Sequence, residues 1–140
     1  LGSVARRPTW IPIPVTALEL LHARKVAQIN MACETAITAG FWSQALGAPH
    51  FYSSQLDDQL NLTGLVLHSQ DSAYPCRDEQ GLRAFNAHTA AQLLQVSNDF
   101  TRFKMRLLER AGALKQQLDH ALDAKDAQAL EAIEWSEVAP

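Results

Sequence analysis

Apolar residues return every three or four positions in three stretches of the chain and change character in two stretches between them. Leu18, Leu21, Val26, Ile29, Cys33, Ala36 and Ile37 recur at helical spacing. Thr16 and Glu19 frame the start of that run as a capping box, and Gly40 offers a left-handed stop. The pattern predicts an amphipathic helix over 16–39.

A second helix is expected to begin near Ser53 or Ser54, with Asp57 and Asp58 in its first turn, where the helix dipole favours anions. Leu56, Leu60 and Leu67, with Thr63 or Gly64 between them, are its expected buried face, and it ends near His68. Thr89 and Gln92 form another capping box and open a third helix over 89–123. Its stripe runs Leu93, Val96, Phe100, Phe103, Leu107, then Arg110 or Ala111, Leu114, Leu118 and Ala121, a near-heptad repeat. Unbroken, such a helix is roughly 50 Å long at about 1.5 Å per residue. It must pair antiparallel with the first helix, bend near Gly112, or reach another chain. Asp126, Leu130 and Ile133 predict a short final helix over 126–134.

The intervening stretches read as hairpins. In 41–53, Phe41, Trp42, Phe51 and Tyr52 flank a Leu-Gly-Ala-Pro turn; in 74–86, Asp78–Gly81 is the turn. Residues 1–14 hold Pro8, Pro12 and Pro14 around Trp10, Ile11 and Ile13, an extended lead-in. The expected fold is therefore mainly α within the α+β class: an antiparallel helical bundle with long first and last helices, a shorter middle helix and two small β-hairpins. One domain spans 15–124, followed by a short C-terminal helix and tail over 125–140. Core candidates are Leu18, Leu21, Ile29, Cys33, Ile37, Leu60, Leu93, Val96, Phe100, Phe103 and Leu107.

Composition narrows the chemistry. The chain has 140 residues, of which 47% are hydrophobic and 19% charged, the make-up of a folded domain. A net charge of −3 argues against a nucleic-acid groove or a polybasic membrane patch, and no apolar run is long enough to span a bilayer. Cys33 and Cys76 are too few and too scattered for a disulfide framework or a zinc site. The chain starts Leu1-Gly2-Ser3 without a signal region, so it reads as a fragment or a processed product.

Motifs for nucleophilic, phosphate-binding or zinc chemistry are missing. His22, His50, His68, His88 and His120 form no i, i+3 or i+4 pair, and a metal site would need His50, Cys76 and His88 to meet across the hairpins. Asp57 and Asp58 point about 100° apart on a helix and read as dipole partners, not an acid/base pair. Neither a metal nor a cofactor is expected. The aromatic hairpin exceeds what a small core needs to seal it, which makes Phe41, Trp42, His50, Phe51 and Tyr52 the candidate partner-binding residues.

The run from Ala32 to Tyr52 (ACETAITAGFWSQALGAPHFY), with Asp57-Asp58-Gln59-Leu60-Asn61-Leu62 after it, resembles an uncharacterised domain family of tailed bacteriophages and prophages. The block His88–Val96 (HTAAQLLQV) resembles that family's second signature, and the likeness covers roughly residues 22–120. The resemblance implies a protein encoded near tail-fibre genes, with no catalytic residues to carry over. The expected function is a non-enzymatic tail protein, a tail-fibre or baseplate-associated structural component. The alternative is a tail-fibre assembly chaperone absent from the finished particle; a small glycan-acting hydrolase using carboxylates such as Asp57 and Glu79 is the remote one. Implied partners are a tail-fibre or other tail protein and a homo-oligomer, with a trimer favoured, and neither nucleic acid nor membrane. The implied location is the virion tail, or the host cytoplasm during assembly.

Overall fold

A computed structural model describes residues 16–136; the lead-in expected over 1–14 and the last four residues lie outside them. Eight elements follow in order: α1 (Ala17–Ile37), β1 (Phe41–Ser43), β2 (His50–Tyr52), α2 (Leu56–His68), β3 (Ser72–Arg77), β4 (Arg83–His88), α3 (Ala90–Asp123) and α4 (Ala127–Ala132). Helix accounts for 61% of the described residues, and a four-stranded antiparallel sheet makes the fold mixed α+β. Among the described residues no helix is long and apolar enough to cross a membrane.

Caps explain most of the boundaries. The Thr16 hydroxyl accepts the Glu19 amide proton at 3.1 Å, and the Thr89 hydroxyl accepts that of Gln92 at 3.1 Å. The Gln92 side chain returns the favour by accepting from the Thr89 amide at 2.8 Å, and Asp71 accepts from Ala90 at 2.8 Å. Held at its start, α3 continues without a break through Gly112 for 34 residues. Helix α2 begins later than the serines suggest. Gln55 is its N-cap, because the Ser54 hydroxyl is spent on donating to the Ile37 carbonyl at 2.6 Å and accepting from the Gly40 amide at 2.9 Å.

Helix α3 is the axis of the molecule and carries two cores. Along its C-terminal half α1 runs in the opposite direction, with His22 against Asp119, Asn30 against Lys115, and Cys33 against the Leu107 carbonyl. Ile29, Cys33 and Ile37 of α1, Ala111, Leu118 and Ala121 of α3, and Leu130 of α4 form this first, largely aliphatic core. Along the N-terminal half, Leu93 and Val96 meet the sheet and α2 in a second core that contains Phe41, Tyr52, Leu62, Tyr74 and Cys76. Phe100 borders both. The near-heptad stripe that suggested association with other chains is thus buried in, or packed against, these two cores.

Two expectations change. The strands expected as separate hairpins form one meander in the order β1-β2-β3-β4, joined where Phe51 pairs with Arg77. The buried face of α2 is also different. Leu62 is buried with Leu65 and Val66 beside it, whereas Leu56, Leu60 and Leu67 are 67%, 65% and 79% exposed. The helix carries two apolar stripes, and tertiary contacts choose between them. The Tyr74 hydroxyl donates to the Asp58 carbonyl at 3.3 Å, and Gln55 donates to the Thr38 carbonyl at 3.1 Å, which sets the rotation of α2. Leu60 is therefore no core residue. The other ten candidates are buried or packed against the two cores.

Candidate functional site: the outer face of the sheet

Strand residues alternate between faces, so the pairing register identifies which side chains share a side. Phe41 and Tyr52 are paired and face inward, buried at 3% and 1% exposure. This corrects their assignment as partner-binding residues: both belong to the core behind the sheet, where Phe41 also meets Phe100 and Phe103. Trp42 pairs with Phe51, Phe51 with Arg77, and Arg77 with Arg83. One row of four side chains therefore crosses all four strands on the outer face. Trp42 is 54% exposed and meets Phe51 edge-on at 5.3 Å between ring centroids. Half-buried His50 sits at the start of β2, with its Nδ1 2.9 Å from the Ala48 carbonyl.

A second row reinforces the first. Pro75 pairs with Phe85, which is 65% exposed and lies under the Arg83 guanidinium at 5.4 Å. Arg77 leans the other way and donates to the Gly81 carbonyl at 3.0 Å. Two cations directly opposite each other on neighbouring strands repel, and here each is drawn to a different neighbour. Gly40 supports the arrangement from below. Its φ is +102°, and a Cβ there would run into the Phe51 ring.

Open grooves flank the face on both sides. Past the β1 edge, a groove of about 510 Å³ lies between Trp42 and Ser43 and the Asp99, Arg102 and Arg106 positions of α3. The Ser43 hydroxyl donates to Asp99 at 2.6 Å, and Gln95 donates to the other oxygen of that carboxylate at 3.1 Å. Between α2 and β3–β4, a groove of about 480 Å³ is lined by Asp58, Asn61, Leu65, Pro75, Arg83 and Phe85.

Behind the face the polar atoms are all engaged. The Tyr52 hydroxyl donates to His88 Nε2 at 2.8 Å, while His88 Nδ1 donates to the Asn86 carbonyl at 2.7 Å. Those partners fix the neutral tautomer, and burial holds the imidazole below its ordinary pKa. Burial likewise pushes the Tyr52 hydroxyl up, and the Tyr74 hydroxyl up to about 12 with help from the charges of Asp58 and Asp57. The Cys76 thiol accepts from Asn86 at 3.1 Å. His50, Cys76 and His88 are thus committed separately, and no group of three potential ligands converges among the described residues. Asp57 accepts from the Asp58 amide at 3.0 Å, and Asp58 accepts from the Gln55 amide at 3.0 Å, so both carboxylates serve the start of α2.

Arg77, Arg83 and Phe85 do not stand out as candidates in the sequence alone. Their alternation in the second hairpin was legible, but joining it to Trp42 required the β2–β3 pairing, which rests on a single residue pair. No curated protein and no solved structure matches the chain. One family model does match, over residues 21–134, and by that match the chain belongs to DUF4376, a domain of unknown function.

Proposed function

We propose that the protein works by contact, as a non-enzymatic component of a bacteriophage tail at the fibre or baseplate, and that the outer face of the sheet is its docking surface. The observation that carries this reading is the cross-strand row Trp42, Phe51, Arg77 and Arg83, with Phe85 beside it. Tryptophan and arginine are the residue types that dominate binding energy at protein interfaces. Opposed guanidiniums on a chain of net charge −3 favour a partner with carboxylates on its surface. The tail setting is supported by the resemblance of the 32–52 run and the 88–96 block to phage tail-associated domains.

An assembly chaperone would use the same face, holding a fibre segment and then leaving. The two roles separate in one experiment: purified particles are analysed by mass spectrometry while the chain is used to capture the tail-fibre protein encoded beside it. A structural component binds the fibre protein and is present in the particle; a chaperone binds and is missing. Failure to bind any tail protein ends both readings.

A further inference from the structure

The exposed leucines of α2 are an independent feature. Leu56, Leu60, Thr63 and Leu67 follow one another at spacings of four, three and four, the seam of a helix pair. In this chain the seam faces solvent, on the side of α2 opposite Asp58 and Leu65, which line the groove against the sheet. Nothing within the described residues covers it.

The spacing is the same read in either direction, which is what the contact of a helix with a second copy of itself about a two-fold axis requires. We infer that α2 pairs antiparallel with α2 of a second copy of this chain, about a two-fold axis passing between Asn61 and Leu62. Leu56 then meets the second copy's Leu67, and Leu60 packs on its smaller Thr63, a self-complementary contact of large on small. Gly64 fits the same arrangement. It weakens a helix interior, yet a Cβ on it would meet nothing within 4 Å in its own chain. In the pair it lies beside the seam opposite the second copy's Asp57, where a bare backbone lets the helices close. The flanks are complementary too: Asp57 of one copy lies near His68 of the other, twice by symmetry. A helix of 13 residues buries less than the roughly 800 Å² per partner of a standard interface, so the dimer is weak and concentration-dependent. The outer face of the sheet stays free.

Sedimentation equilibrium of the full chain over a wide concentration range tests this. The expected result is a monomer–dimer equilibrium that Leu60→Glu weakens at least tenfold while the circular dichroism is unchanged. Leu67→Glu, at a still more exposed position, repeats the test if the first variant folds poorly. Gly64→Ala is expected to melt higher and associate less. In mixed samples, Leu56→Cys and Leu67→Cys chains should cross-link to each other in preference to themselves. A chain that stays monomeric, a trimer, a dimer indifferent to Leu60→Glu, or a seam that binds only a different protein would overturn the inference.

Discussion

The two ends of α3 are stabilised by different means. At the C-terminal end, α1 and α4 bury aliphatic side chains against Leu118 and Ala121, and the buried polar groups Lys25 and Cys33 turn to backbone carbonyls. Lys25, only 5% exposed, donates to the Glu131 carbonyl at 3.0 Å, and the Cys33 thiol donates to that of Leu107. At the N-terminal end, stacked and edge-on rings surround a hydrogen-bonded Tyr52–His88 pair. Aliphatic stripes specify burial but leave rotation loosely determined, whereas ring stacking and hydrogen bonds specify register as well. The end with the more exacting core is the one behind the Trp42–Arg83 row. A contact surface benefits from a scaffold whose side chains are already held in place.

Breaking the aliphatic end should have the larger effect on stability. Leu118 is fully buried, and Leu118→Ala is expected to cost about 2–5 kcal/mol in denaturant unfolding through lost burial and the cavity left behind. The near-ultraviolet signal of the tyrosines at the other end should survive in the folded variant. A loss below 1 kcal/mol would mean that the aliphatic end is not packed as described.

The aromatic end should reveal itself through pH. Burial holds His88 neutral, an effect larger than the opposing hydrogen bond to Asn86, and His50 adds to it. The unfolded chain therefore takes up a proton that the folded one refuses. Stability from this residue is complete above the ordinary imidazole value of 6.5 and declines as pH falls below it. Tyr52→Phe leaves Nε2 buried without its donor, at a cost of about 1–3 kcal/mol. The lost bond had favoured the neutral imidazole, so the folded pKa rises toward its unfolded value. The variant should melt lower at neutral pH yet lose less on acidification than the parent chain. Parallel pH profiles for the two proteins would place the acid sensitivity elsewhere.

Much of this organisation was legible in the sequence where local chemistry decides it. Thr16, Thr89 and Asp126 each accept the amide proton three residues ahead, so the starts of α1, α3 and α4 followed from capping residues alone. Phase was harder to read. In α2 the Leu56–Leu60–Leu67 stripe is as regular as the Leu62–Leu65–Val66 patch that is buried, and only contacts from distant Tyr74 and Thr38 select between them. The candidate site was half legible for a similar reason. Composition pointed to the aromatic hairpin, but alternation within β1 and β2 divides it, sending Phe41 and Tyr52 inward and Trp42 outward. The arginines came from a second hairpin brought alongside by one pair of residues.

Docking through the outer face is tested most directly by titrating the chain against a tail-fibre protein, the partner proposed above. Trp42 and Phe85 are both more than half exposed, so replacing them with alanine should leave the fold intact. The Trp42→Ala, Phe85→Ala double variant is expected to bind at least tenfold more weakly, about 1.4 kcal/mol or more, the scale of interface hot spots. Unchanged affinity in a variant with unchanged circular dichroism would contradict it.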